Sequence, residues 1–297
     1  MNPVIQPSVR RLNDGIAKEP GRLFVPEVLT PLAFTPTYQS LSAAQRRRYN
    51  ELHGYYFLEQ TVFFEQHLGR PGLERLLVSA PTSHLRKVIG QFIEEENRHT
   101  GWFCDLLREC EPAWYSGRRF HLLKASRPAR ALLRTAAQLP GLFPCLLWLQ
   151  MITEERVQHF SSLFVRHAAE LDPRFVDVQR RHLADEGGHI RWDAELIEWR
   201  WPATPLVLRK LNARLLAWLL REFFHLPKRS GWNVVEHWIA EFPELVARKA
   251  ELRAAMQSLT ANPSYLRTLY PRCVFPRTRR LASRWPELRF LEEFFTD

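Results

Sequence analysis

The chain has 297 residues, 45% of them hydrophobic and 12% aromatic, which suffices for one large core and excludes a disordered polymer. Its formal charge of +10 comes from single arginines spread along the chain, a pattern that argues against nucleic-acid binding and suits an acidic partner. Cys104, Cys110, Cys145 and Cys273 show no CxxC spacing, no leader-type segment opens the chain, and the most apolar window (139–152) is short and carries Pro140 and Pro144, so a reduced, cytoplasmic protein with no membrane partner is expected.

Residues 1–40 carry six prolines among scattered apolar residues and read as an extended arm. A first helix opens at the capping-box pattern Ser42-Ala43-Ala44-Gln45 and is expected to end near Gly69-Arg70-Pro71-Gly72; it holds Glu59 and Glu65. A second starts at about Ser83, contains Glu96-Asn97-Arg98-His99 and stops at Glu111-Pro112. A basic connection (Arg118, Arg119, Lys124, Arg127, Arg130) leads to a third, from about Leu142 to His167, with Glu154, Glu155 and His159. Leu171-Asp172-Pro173 separates it from a fourth, running to about Arg200 and containing His182, Glu186 and His189. Leu206 to Phe224 is an apolar helix, and shorter helices divided by prolines follow. With no alternating strand pattern, no phosphate loop and no GxSxG elbow, the chain reads as all-α.

Positions three and four apart share a helix face, so His182, Glu186 and His189 line one stripe: half a metal site, or else a solvated polar face. Three Glu-x-x-His matches occur, at Glu96, Glu186 and Glu222. Two of them stand on the second and fourth helices, while the first and third each offer single glutamates, the order of a four-helix carboxylate site for two metal ions. Glu222-x-x-His225 lies outside those helices and reads as coincidental. In an antiparallel pair, level residues are equidistant from the turn. Glu155 precedes Asp172 by 17 residues and His189 follows it by 17. Glu154 is almost as well placed, but Glu155 shares a face with Met151, Ile152 and His159 and is preferred. On the first helix Glu59, deeper than Glu65 if the helix ends at Gly69, is preferred on depth. Four inward carboxylates would repel one another unless cations compensated them, and two Fe(II) would leave the set neutral. Arg98 and Asp185 are candidates to pair around the ligands. Tyr56, Phe63, Trp102, Phe103 and Phe160 could line a pocket, and Gly187-Gly188 suggests crowding or unwinding near the metal.

The additional His182, one turn before Glu186, resembles the diiron oxygenases typified by p-aminobenzoate N-oxygenase (AurF-type), over roughly residues 40–200. The resemblance implies seven ligands, here Glu59, Glu96, His99, Glu155, His182, Glu186 and His189. It also implies an all-α, ferritin-like four-helix bundle, often a homodimer; with the arm and the later helices read above, the chain divides into an N-terminal arm (1–40), a bundle (41–225) and a packed C-terminal helical extension (226–297), together one domain. The implied cofactors are two iron ions, with O₂ as co-substrate and electrons from an external reductase. The implied reaction is oxidation of a small molecule in biosynthesis, foremost N-oxygenation of an arylamine. The alternatives are carbon hydroxylation or desaturation of a substrate on an acidic carrier protein, and a non-catalytic ferritin-like metal-binding protein.

Overall fold

The structure, a computed structural model, describes residues 16, 19–117, 120–224 and 228–296. The first fifteen residues of the expected arm, Arg118 and Arg119, and His225 lie outside the described residues.

Helix α1 (Ala43–Phe64) begins as its sequence demands: Ser42 Oγ accepts from Gln45 N–H at 3.2 Å, and Gln45 Oε1 accepts from Ser42 N–H at 2.9 Å. The helix does not stop at Gly69. It passes through one π-helical turn, Glu65–Gly69, in which Arg70 N–H reaches back five residues to Glu65 O, and resumes as α2 (Arg70–Ser79). Pro71 explains the junction. It has no N–H to extend an α-helical ladder, and the wider turn absorbs the interruption without ending the rod.

Helix α3 (Ser83–Cys110) follows after a short turn, then α4 (Arg127–Gln138), α5 (Cys145–Arg166) and α6 (Pro173–Arg200), the last capped by Asp172, whose carboxylate accepts from Arg174 N–H at 3.0 Å. Helices α1, α3, α6 and α5 pack in that cyclic order, and the π turn closes the ring against α5. This is a four-helix bundle. Among the described residues only isolated backbone bridges occur and no strand.

Two further layers cover the bundle. The N-terminal segment pairs Leu23 with the α5–α6 turn (Leu23 N to Glu170 O 3.1 Å, Asp172 N to Leu23 O 2.7 Å) and is held on α1 by Asn50, whose side chain bonds Phe24 N, Val25 N and Val25 O. It runs so close to α1 that a Cβ at position 54 would stand 2.7 Å from Phe24 Cβ, which requires Gly54. On the other side α7 (Leu206–Leu219) packs on α5, and α8 (Arg229–Glu241) packs on α1. Helices α9 (Lys249–Ser258), α10 (Pro263–Leu269) and α11 (Pro276–Ala282) follow, and α11 reaches α5 and α6. Helix α5 is therefore covered on its outer side as well as toward the bundle, with Cys145, Trp148, Met151, Ile152 and Phe164 fully buried. No helix among the described residues is long and apolar enough to cross a membrane.

Candidate metal centre

Seven ligand-type side chains converge at mid-height in the bundle: Glu65 from the π turn, Glu96 and His99 from α3, Glu154 from α5, and His182, Glu186 and His189 from α6. All are buried, Glu186, His99 and His189 completely. They fall into three overlapping trios whose ligand atoms lie within 4.8 Å of one another: Glu65, His99 and His182; Glu96, His99 and His189; Glu154, Glu186 and His189. His182 Nε2 stands 3.4 Å from Glu65 Oε1 and 2.7 Å from Glu186 Oε1. His189 Nδ1 stands 3.2 Å from Glu96 Oε1, 3.6 Å from Glu154 Oε2 and 3.8 Å from Glu186 Oε1.

Outside this ring a second set of carboxylates orients the imidazoles. Asp185 Oδ2 sits 3.0 Å from His99 Nε2 and accepts from Arg98 Nη2 at 2.9 Å, so the expected pairing of Arg98 and Asp185 is present. Glu95 Oε2 lies 3.2 Å from His189 Nε2. A carboxylate on the outer ring nitrogen fixes the N–H there and turns the other nitrogen's lone pair inward. Thr100 Oγ1 donates to Glu65 Oε2 at 3.2 Å, leaving Oε1 toward His182.

The inward atoms fit a cation. Glu96 Oε1, His99 Nδ1, both Glu186 oxygens and His189 Nδ1 are buried and make no hydrogen bond. Orphaned atoms of this density are costly unless something positive sits among them. The electrostatics say the same. Burial, reinforced by Glu65 and Glu154, raises the Glu96 carboxyl far above its usual range. Burial and Glu154 lift Glu186 to about 8. His189 is driven to about 12 although burial opposes it, because Glu154 and Glu95 bond its protonated form. His99 falls to about 3 through burial and the neighbouring His182. Without a cation the groups must share protons, and with two divalent ions the four carboxylates are neutralised.

Two of the seven expected ligands are elsewhere. Glu59 is buried but faces away from the cluster: its carboxylate accepts from Tyr115 Oη (2.7 Å) and from the amides of His121, Leu122 and Leu123 (2.7, 2.9 and 2.7 Å), clamping the loop after α3. Glu155 accepts from the amides of Arg277 and Thr278 at 2.8 and 3.0 Å, at the start of α11. Their places in the cluster are taken by Glu65 and Glu154. The preference for Glu59 fails because the first helical rod runs on to Ser79. The turn to be measured from is then Ala80-Pro81-Thr82: Glu65 precedes Pro81 by 16 residues and Glu96 follows it by 15. The equidistance rule that matched α5 to α6 thus identifies Glu65. The preference for Glu155 fails because α5 is apolar on its outer side too, where α11 covers it, so apolar neighbours do not mark the bundle interior.

His159 is half-buried beside Phe160 (6.0 Å between rings) and not at the cluster. Of the aromatic candidates, Phe103 packs edge-on against His182 at 5.0 Å, Trp102 lies beside His99 at 5.3 Å, and Phe160 lines a cavity; Tyr56 and Phe63 line a separate outer pocket. At Gly187 a Cβ would meet nothing within 4 Å, and at Gly188 only the Trp192 ring at 3.7 Å. Since α6 is unbroken there, neither crowding nor unwinding accounts for the glycine pair.

The cavity opens on the cluster at Glu65, Glu96, Glu154 and His182. Its walls are Phe57, Phe64, Leu68, Leu73, Phe143, Leu147, Val157, Phe160 and their neighbours, with polar groups at Gln60, Thr61, Gln150, Thr153 and Arg156. The lining thus sets a mostly apolar cavity directly against the cluster.

No curated protein sequence matches the chain significantly. Residues 12–268 match the family described as p-aminobenzoate N-oxygenase AurF. The chain therefore belongs to the AurF family of ferritin-like diiron N-oxygenases, and it is an enzyme of the monooxygenase class.

Proposed function

We propose that the buried cluster holds two iron ions and that the enzyme N-oxygenates a small arylamine bound in the adjoining cavity, using O₂ and an external reductase. The observation that carries this reading is the convergence of four carboxylates and three imidazoles whose inward atoms make no hydrogen bond, at the end of an apolar chamber. Glu65, Glu96, His99, Glu154, His182, Glu186 and His189 would together hold the two ions. When bound and reduced, the pair supplies two electrons to O₂. The overall change is R–NH₂ + O₂ + 2e⁻ + 2H⁺ → R–NHOH + H₂O.

The chain's own residues contribute position and charge. Asp185 and Glu95 hold His99 and His189 with one nitrogen inward. The four glutamates cancel the charge of two divalent ions, so the centre does not draw anions or water into the bundle. Phe57, Phe64 and Phe160 offer flat apolar surface to an aromatic ring, and Gln60, Gln150 and Thr153 offer hydrogen bonds that would turn its amino group toward the cluster.

The test combines metal analysis with a product screen. The protein as purified, or reconstituted anaerobically with Fe(II), is expected to bind two irons per chain. Reduced and supplied with O₂ and candidate arylamines, it is expected to yield products one or two oxygens heavier at nitrogen by mass spectrometry. Oxygen gained on carbon instead would replace the N-oxygenase reading with hydroxylation. Equal iron in wild type and Glu96→Ala would sink the site assignment.

A further inference from the structure

Of the nine large apolar side chains exposed to solvent among the described residues, six lie on two adjoining segments. Leu139 and Leu142 on the α4–α5 turn, and Leu206, Val207, Leu211 and Trp218 on α7, are between 40% and 73% exposed. Asn212 joins the two segments: its Nδ2 donates to Leu142 O at 2.9 Å and its Oδ1 accepts from Cys145 N–H at 3.1 Å. Val207, Leu211, Arg214 and Trp218 follow one helical stripe, with Lys210 beside it.

The two stretches of chain that carry this patch hold charge of a single sign. No aspartate or glutamate occurs from 112 to 153 or from 199 to 221, whereas Arg127, Arg130, Arg134, Lys210, Arg214 and Arg221 are all exposed. The acidic residues that flank the second stretch are engaged, Glu198 with Arg284 at 2.6 Å and Glu222 with Lys228 at 2.8 Å, and Glu287, which packs beside α7, pairs with Arg209 at 3.2 Å. The turn that carries Leu139 and Leu142 also sends Pro140 and Phe143 into the wall of the chamber described above, so the patch adjoins that chamber.

We propose that this face docks on an anionic lipid surface, and that an apolar substrate passes from the bilayer into the chamber. Exposed leucines and a tryptophan among lysines and arginines, with no acidic residue, are the chemistry of interfacial attachment: apolar groups enter the headgroup boundary while cations meet lipid phosphates. A second copy of the chain fits less well, because a two-fold contact centred here would set Lys210 and Arg214 against their own counterparts. An acidic carrier protein fits less well too, since it would meet the cations but leave the exposed leucines and Trp218 without an apolar partner. The expectation of no membrane partner rested on the lack of a spanning segment, which a docking face does not need. The delivery step rests on the reading of the chamber as the substrate site; the docking step does not.

The test is co-sedimentation of the iron-loaded full chain with phosphatidylcholine vesicles, with and without phosphatidylglycerol. Binding to the anionic vesicles, weakened by salt and roughly 30-fold weaker in Lys210→Gln/Arg214→Gln, is expected. Leu211→Ser/Val207→Ser should also weaken it, with iron content and circular dichroism unchanged in both variants. Absence of binding to anionic vesicles, or equal binding by both variants, overturns the proposal. So does a finding that the variants split a dimer, or lose capture by an acidic carrier protein, while wild type ignores vesicles. Vesicle binding without amine oxidation would leave docking standing and count against the oxygenase reading alone.

Discussion

Two pairs of buried glutamates, close in sequence, do opposite things. Glu59 and Glu155 each have both oxygens bonded to backbone amides of a segment packed outside the bundle. Glu65 and Glu154, six residues and one residue further along or back, face the other acidic and imidazole groups. A carboxylate satisfied by amides needs no cation, whereas one that faces Glu96 and Glu186 does. Burial is the same in both pairs; the partners differ. The lesson is that a buried glutamate identifies a metal ligand only when its partners are other ligand groups.

Exchanging adjacent glutamates on α5 gives the sharpest way to break this comparison. Glu154→Ala should cut iron affinity by more than about 100-fold, beyond what loss of an outer partner costs, and abolish turnover while leaving the helical circular dichroism intact. Glu155→Ala should retain iron. Metal content by atomic absorption separates the two, and iron loss in Glu155→Ala alone would reverse the assignment.

Stability should discriminate in the other direction. Glu59→Ala leaves the amides of His121, Leu122 and Leu123 and the Tyr115 hydroxyl without their acceptor, at a cost of about 2–3 kcal/mol in denaturant unfolding of the iron-free protein. Glu65→Ala removes like-charge repulsion from the iron-free protein and should cost it much less. If both variants unfold at the same denaturant concentration, the distinction between amide-bound and ligand-facing carboxylates fails.

What was legible in the sequence follows from the same contrast. The Glu-x-x-His spacings placed Glu96, His99, Glu186 and His189 on inward faces because two residues on one helix fix a direction, and His182 extended one such stripe. Single glutamates fix none. Choosing among them required knowing where a helix ends and what covers its back. Pro71 concealed the first by looking like a stop while the chain passed it in a π turn. The C-terminal helices concealed the second by making α5 apolar on both sides.

The outer carboxylates allow a smaller test. Asp185→Asn keeps an acceptor for the His99 ring N–H but removes the negative charge, which should lower iron affinity about tenfold without emptying the site. A chelator titration monitored by iron release reads this directly, and an unchanged titration would mean that Asp185 serves only the surface pair with Arg98.

The smallest expected effect concerns the glycines between Glu186 and His189. If the metal ligands required a glycine there, Gly187→Ala would disturb both neighbours and reduce bound iron. A methyl group at 187 meets nothing within 4 Å, however, and α6 is regular through this turn. Alanine should therefore gain up to about 1 kcal/mol through its better helix propensity, visible as a higher thermal midpoint at unchanged iron content. Gly188→Ala, which would touch the Trp192 ring at 3.7 Å, makes ordinary van der Waals contact and should gain somewhat less. Loss of iron in Gly187→Ala would show that the backbone here must move when metal binds, a requirement that the neighbouring side chains do not impose.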